Sequence, residues 1–172
     1  MSQESSAAQP SAAPSSAALA FDRDEWELLV TLPRRVVIAA TSAEPDTTRR
    51  TVSEGLAGLE AIAAGRSSPS RLVREVVAAI YAADDRGEPT AEVFDDPVAG
   101  IAQTMAACRH ANAVLKHRAR LVDAAGYRAW LAEVAAAVCG AAHTGGVFGV
   151  GGARVTVAEG RFLDDLADAL AV

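Results

Sequence analysis

Apolar residues recur at helical spacing along most of this chain, and this pattern limits the fold more than any other feature of the sequence. The clearest case is segment 68–81, whose large apolar residues return every three or four positions: Leu72, Val73, Val76, Val77, Ile80 and Tyr81. Such a period places side chains on one face of an α-helix, whereas a half-buried strand alternates strictly. Apart from a short run at 147–150 that could be extended, no segment indicates a strand. The sequence therefore predicts an all-α fold.

The first two predicted helices are joined by an acidic turn. The first runs from about Asp24 to Ala43, and Pro33 should kink or split it because proline removes a helical hydrogen bond. The second begins at Thr51, where Thr51 and Glu54 form a capping box of the Ser/Thr-x-x-Glu type. Its predicted core face consists of four apolar residues: Leu56, Leu59, Ile62 and Ala63.

Four more predicted helices bring the total to about six. The third begins near residue 68, and the fourth begins at Asp96–Pro97, a capping residue followed by a proline suited to the first turn. The fourth carries an apolar line at heptad spacing that continues to Val122 and is interrupted by Asn112. We interpret Asn112 as a register-setting or partly hydrated core position. The last two helices are indicated by their apolar residues: Tyr127, Leu131, Val134, Val138 and Ala141 for the fifth, and Leu163, Leu166 and Leu170 for the sixth, which begins at Thr156.

Composition indicates one closely packed helical domain. Hydrophobic residues make up 51% of the 172 residues but aromatic residues only 5%. Much of the apolar content is therefore alanine, which favours helices and buries little area. A chain of this length suits one hydrophobic core. We predict a single helical domain over 21–172, behind a disordered tail over 1–20 that consists almost only of Ser, Ala, Pro and Gln.

Charge and cysteine content argue against several classes of function. The net charge of −6 disfavours nucleic acid as a partner, because its binding relies on Lys and Arg neutralising phosphates. Cys108 and Cys139 without a Cys-x-x-Cys motif indicate reduced, buried thiols. No stretch is long and apolar enough to span a membrane, and the N-terminus lacks the pattern of a secretory signal. We expect a cytoplasmic protein.

The two ends of the predicted domain resemble each other. Segment 51–55, Thr-Val-Ser-Glu-Gly, returns as segment 156–160, Thr-Val-Ala-Glu-Gly, and Trp26 returns upstream as Trp130. Each tryptophan opens an apolar helix that runs toward a capping box, so a helical hairpin occurs twice. Neither hairpin can bury its apolar face alone. The sequence predicts a bundle in which two pseudo-twofold related hairpins pack around the central helices.

A helix that ends in small residues, followed by an acidic turn and a Val-Ser-x-x-Glu-like box, resembles the tellurite-resistance TerB-like helical family. The matching residues of the first half are Ala39, Ala40, Ala43, Glu44, Asp46, Val52, Ser53 and Glu54, and those of the second are Ala141, Ala142, Val157, Ala158 and Glu159. The resemblance covers about half the chain. It implies a bacterial stress response and metal binding by acidic residues at the turn. The second turn departs from the pattern because glycines occupy it in place of acids.

Glu44, Asp46 and Glu54 are the candidate metal ligands. Carboxylate oxygens at one helix junction would suit Ca²⁺, Mg²⁺ or Mn²⁺, although Ca²⁺ usually takes six or more oxygens. The alternative interpretation is a solvated turn beside a capping glutamate. We predict no other cofactor.

Three further patterns favour structural interpretations. Cys139 with His143, and Cys108 with His110, have spacings that zinc could use, but cysteines on apolar faces usually act as small hydrophobes. The glycine-rich segment 145–152 follows a helix and lacks the Lys of a phosphate loop, so it reads as a turn. A basic stretch over 109–120 could receive an acidic or phosphorylated ligand, but is more typical of a solvated face.

No catalytic motif is recognisable, so we expect the protein not to be an enzyme. The first functional hypothesis is a helical module that binds a protein partner, or a second copy of itself, through an exposed apolar strip. The alternative is a TerB-like protein that binds a divalent metal at Glu44, Asp46 and Glu54.

Overall fold

The computed structural model describes residues 20–44, 48–85, 94–141 and 155–171. These residues form six α-helices and no strand: α1 (Arg23–Thr41), α2 (Thr48–Ala64), α3 (Arg71–Asp85), α4 (Pro97–Arg118), α5 (Leu121–Ala141) and α6 (Val157–Leu170). A 3₁₀ turn, Gly65–Ser67, follows α2. The prediction of an all-α fold is confirmed. The tail predicted over 1–20, apart from Ala20, and the short run at 147–150 lie outside the described residues.

Helix α5 occupies the centre of the bundle, because it packs against each of the five other helices. Its core face contains mostly medium-sized and small side chains, with two aromatic rings near its middle: Ala124, Tyr127, Trp130, Leu131, Val134, Ala135, Val138 and Cys139. The two rings meet edge to face, with their centroids 5.8 Å apart. Small residues let the neighbouring helices approach closely, as the alanine-rich composition suggests.

Helix α1 continues through Pro33 without being split. Proline has no N–H to donate to the carbonyl oxygen of Leu29 four residues earlier. The hydroxyl of Tyr127 on α5 donates to that oxygen at 2.7 Å, and both residues are buried. The hydrogen bond that Pro33 removes inside α1 is thus replaced by one from the central helix.

Two of the predicted helix starts are confirmed and two are wrong. The Asp96 side chain accepts from the N–H groups of Val98 and Ala99 ahead of α4. Thr156 and Glu159 form a complete capping box at the start of α6. Helix α2, however, begins at Thr48, so the segment that starts at Thr51 lies one turn inside the helix and does not begin it.

Helix α3 begins at Arg71, so the start predicted at Ser68–Pro69 is wrong. The start of α3 is capped from another helix, which the sequence did not reveal. One carboxylate oxygen of Asp123, in the first turn of α5, accepts from the Arg71 N–H at 2.9 Å and from the Ser70 hydroxyl at 3.0 Å. The Ser70 hydroxyl oxygen in turn accepts from the Val73 N–H at 3.4 Å. A carboxylate at a helix N-terminus is also favoured by the helix dipole, so this contact fixes α3 against α5.

Asn112 joins three helices. Its amide nitrogen donates to the Ala171 carbonyl after α6 at 2.6 Å, and its amide oxygen accepts from Arg128 Nε on α5 at 2.6 Å. The predicted polar position within the apolar line of α4 is confirmed. The line itself ends earlier than predicted, because α4 stops at Arg118 and Val122 is an exposed residue of α5.

The repeated hairpins are not confirmed, since the two tryptophans have different surroundings. Trp130 is buried in the middle of α5 and donates to the Ala61 carbonyl at 3.3 Å. Trp26 is half-buried near the start of α1, with its ring centroid 6.1 Å from that of Phe21. The repeated boxes are more alike, because Glu54 and Glu159 are both buried while Val52 and Val157 are both exposed. The pseudo-twofold arrangement stays a prediction.

Candidate functional site

Two regions carry the functional predictions: the acidic junction between α1 and α2, and the outer face of α2. At the junction, Glu44 is half-buried just after α1, and its Oε2 atom is buried without a hydrogen bond within the described part of the chain. Glu54 is buried on α2. Asp46, the third predicted ligand, lies outside the described residues. In ranges 20–44, 48–85, 94–141 and 155–171, no three His, Cys, Asp or Glu side chains form a group that could hold a metal ion.

Glu159 is a second buried carboxylate of the bundle, in addition to Glu54. It was not among the predicted metal ligands. Its Oε2 accepts from the Thr156 N–H at 2.7 Å, and the side chain is buried at the start of α6. The negative charges of Glu159 and Glu54 both raise the pKa of the Cys139 thiol near the end of α5. The sequence did contain a signal for this residue, because aligning the two repeated segments places Glu159 opposite Glu54.

Burial keeps both cysteines protonated at neutral pH. It raises the pKa of the Cys108 thiol to about 12, although the charges of Arg109 and Arg35 oppose the shift. The pKa of Cys139 is also raised to about 12, first by burial and then by the negative charges of Glu159 and Glu54. Thiols in this state are poor nucleophiles and poor metal ligands. The interpretation of both cysteines as buried, free thiols is confirmed.

The cysteine and histidine pairs do not form a described zinc site. Cys108 is buried whereas His110 is exposed, so the two side chains of this pair face different surroundings. His143, the predicted neighbour of Cys139, lies outside the described residues. The glycine-rich segment 145–152 also lies outside them.

The basic stretch over 109–120, which extends from α4 into the turn after it, is solvated, as expected. Its cationic residues and histidines are all exposed: Arg109, His110, Lys116, His117, Arg118 and Arg120. Within the described residues, the ion pair of this stretch joins Arg118 Nε to Glu25 Oε1 at 3.2 Å.

The outer face of α2 carries three large apolar side chains, two of which, Leu56 and Leu59, the sequence had assigned to the core. Val52, Leu56 and Leu59 are 66%, 57% and 51% exposed, and their spacing of four and three residues places them in one row. We call this row the α2 strip. The prediction that Leu56 and Leu59 face the core is wrong, whereas Ile62 is buried as predicted.

Glycines explain why α2 turns this face outward. A Cβ atom added at Gly58 would lie 2.7 Å from Val37 Cγ2 on α1 and 2.8 Å from Val138 Cγ2 on α5. One added at Gly65 would lie 2.7 Å from Trp130 Nε1. The backbone at the glycine face of α2 therefore lies directly against the side chains of its neighbours. Leucine cannot occupy that contact, so the leucines point to solvent.

The surroundings of the α2 strip are open. Gly55 lies between Val52 and Leu59 on the helix surface, and a Cβ atom added there would meet nothing within 4 Å. Thr51, Ser53 and Glu60 are exposed beside the strip. The arrangement has the form of an interface core: aliphatic side chains at the centre, polar side chains at the edge, and room for another backbone to approach.

Comparison with protein families, with curated proteins and with solved structures finds no match for this chain. The resemblance to the TerB-like family therefore stays a prediction.

Proposed function

We propose that this protein is a non-catalytic helical module that binds a partner protein through the α2 strip, in a bacterial stress response. The observation that carries the proposal is the exposure of Val52, Leu56 and Leu59 in one row on a helix whose opposite face is packed through glycine. Aliphatic residues four and three positions apart are the pattern that an amphipathic partner helix recognises.

The contribution of the α2 strip to the binding free energy follows from the apolar surface that a partner would bury. Completing the burial of three side chains that are a little over half exposed would contribute about 3 to 5 kcal/mol, before the costs of association. Removing two of the three should therefore weaken binding by roughly 30-fold or more. The rest of the bundle does not depend on these side chains, so the strip can be changed without unfolding the protein.

The test compares three full-length baits in quantitative co-purification from the native host. Wild type is set beside a strip variant, Leu56→Gln with Leu59→Gln, and a control variant, Val98→Gln, which changes an exposed residue in the first turn of α4. We expect a partner that wild type and the control retain and that the strip variant loses. Titration of the purified partner should then show the weaker Kd. Equal retention by all three folded baits would contradict the proposal.

Self-association is the other form of this hypothesis, and the same variants address it. Sedimentation velocity over a concentration series would show a wild-type dimer that the strip variant does not form. If the wild type is a monomer at all concentrations, the partner must be a different protein.

A second candidate function, divalent-metal binding at Glu44, Asp46 and Glu54, is favoured by one observation. The Oε2 atom of Glu44 is buried without a hydrogen bond within the described residues, and a buried carboxylate oxygen normally has a partner. Thermal unfolding with chelator, and then with Mg²⁺, Ca²⁺, Mn²⁺ or Zn²⁺, tests the candidate. We expect a rise in Tm that Glu44→Gln abolishes and that Glu60→Gln, at an exposed position on α2, retains. No rise with any of the four ions would exclude this function.

A further inference from the structure

The turn between α4 and α5 carries the most exposed large apolar side chain among the described residues. Helix α4 ends at Arg118 and α5 begins at Leu121. Leu121 is 89% exposed and Val122 is 64% exposed, so neither contributes its side chain to the core. Starting a helix does not require apolar residues there, because the first turn favours capping and acidic side chains. We call residues 116–122 the α4–α5 tip.

Basic residues directly precede these apolar side chains. Lys116, His117, Arg118 and Arg120 are all exposed. Arg118 is paired with Glu25, whereas Lys116 and Arg120 form no ion pair within the described parts of the chain. The tip thus combines free positive charge with protruding apolar groups, in a protein whose net charge is negative.

The acidic groups nearest to the tip are already engaged in local structure. The Glu25 carboxylate accepts from the Asp22 N–H at 2.9 Å as well as from Arg118. The Asp123 carboxylate accepts from the start of α3, as described above. Their negative charges are partly compensated by these donors, so they do not cancel the charge of Lys116 and Arg120.

An open cavity lies beside the tip. Its volume is about 170 Å³, and three arginines line it: Arg71, Arg118 and Arg120. Phe21 and Leu72 form an apolar part of the cavity wall, and Asp123 also lines the cavity. Arg71 and Arg118 form their ion pairs through Nε. Guanidinium groups around an open cavity of this size suit a phosphate group.

We propose that the α4–α5 tip docks on the surface of a lipid bilayer that contains anionic lipids. Leu121 and Val122 enter the interfacial region, while Lys116, Arg120 and the arginine-lined cavity face the phosphates of the headgroups. This proposal is independent of the α2 strip. It requires no spanning segment, in agreement with the finding that no helix in the described ranges is long and apolar enough to cross a membrane.

A bilayer fits the tip better than a protein partner does. Stable protein interfaces bury roughly 800 Å² on each side, far more than two adjacent side chains on a turn can offer. A membrane surface needs less, because it combines shallow insertion with attraction to anionic headgroups. Each Lys or Arg near such a surface strengthens partitioning about fivefold.

Vesicle co-sedimentation of the full-length protein tests the proposal. Wild type should bind phosphatidylcholine vesicles that contain phosphatidylserine and should bind pure phosphatidylcholine vesicles only weakly. We expect Leu121→Gln to lower the partition coefficient about tenfold and Arg120→Gln about fivefold. Val98→Gln is the matched control, since this exposed residue lies at the opposite end of α4 and should leave partitioning unchanged.

Each of the remaining outcomes has a definite meaning. Equal partitioning of wild type and Leu121→Gln, or equal binding to both kinds of vesicle, would overturn the proposal. So would binding to an acidic peptide or inorganic phosphate without any binding to vesicles. The strip variant Leu56→Gln with Leu59→Gln should partition like wild type, so the outcome here stays separate from that of the proposed function. Unchanged Tm values establish that each variant is folded.

Discussion

Helices α2 and α5 are in direct contact, yet they use their apolar residues in opposite ways. Beyond its first turn, helix α5 buries large side chains, among them Tyr127, Leu131 and Val134, in a core to which all five other helices contribute. Helix α2 contacts α5 through Gly58, which lies against Val138, and through the Ala61 carbonyl, which accepts from Trp130. It carries Leu56 and Leu59 on its outer face. The difference shows that the closeness of two backbones, and not hydrophobicity alone, decides which face of a helix is buried.

The comparison also separates two roles of leucine. Leu131 of α5 helps to hold the bundle together, because it is fully buried and its side chain fills space in the core. A leucine of the α2 strip contributes little to the fold, so it is available for a partner. This distinction has consequences that equilibrium unfolding can measure.

The largest expected effect comes from replacing a leucine in each helix with alanine. Leu131 on α5 is fully buried, so Leu131→Ala should lower the free energy of unfolding by about 2 to 5 kcal/mol through lost burial and a cavity. Leu59→Ala on α2 should change it by less than about 0.5 kcal/mol. Urea denaturation of the two variants measures both values. A loss at Leu59 comparable with that at Leu131 would mean that the α2 strip belongs to the core in solution.

The second effect concerns the buried hydroxyl of Tyr127. Tyr127→Phe leaves the Leu29 carbonyl without the donor that compensates for Pro33, which should cost about 1 to 3 kcal/mol. In a Pro33→Ala background, the new backbone N–H can donate to the same carbonyl, so Tyr127→Phe should cost clearly less. A double-mutant cycle in urea measures the difference. Additive effects would show that the hydroxyl and the proline are not linked through Leu29.

Much of the fold could be predicted from the sequence because helical spacing and capping residues act locally. The segment around Leu72 to Ile80, the Asp96 cap, the Thr156 box and the polar position of Asn112 are all local or periodic signals. The contacts that depend on helices meeting could not be predicted in the same way. The cap that Asp123 provides for α3 joins residues about fifty positions apart, and nothing in the local sequence indicates it.

The α2 strip was hidden for the same physical reason. The sequence of α2 offers one face with Leu56 and Leu59 and another with Gly58, and hydrophobicity alone favours burying the leucines. Only the packing of Gly58 against Val37 and Val138 decides otherwise. The metal ligands at the acidic junction stay a prediction. Glu54, one of the predicted ligands, is buried. Glu159, the residue that corresponds to it in the repeated segment, is buried too, but it can be found from the sequence only by comparing the two segments.

The smallest effect tests the glycine face directly, with two glycines three residues apart on α2. Gly55 faces open space, so Gly55→Ala should raise the free energy of unfolding by about 0.5 to 1 kcal/mol through helix propensity. Gly58→Ala gains the same propensity, but its Cβ atom would lie 2.7 Å from Val37 Cγ2. Overpacking of this kind costs about 1 to 3 kcal/mol, and the stiff valine side chains cannot easily move away. The net result should be a loss of about 1 kcal/mol, opposite in sign to that of Gly55→Ala. If both substitutions stabilised the protein, α2 would lie farther from α1 and α5 than described here, and the argument that glycine turns the leucines outward would fail.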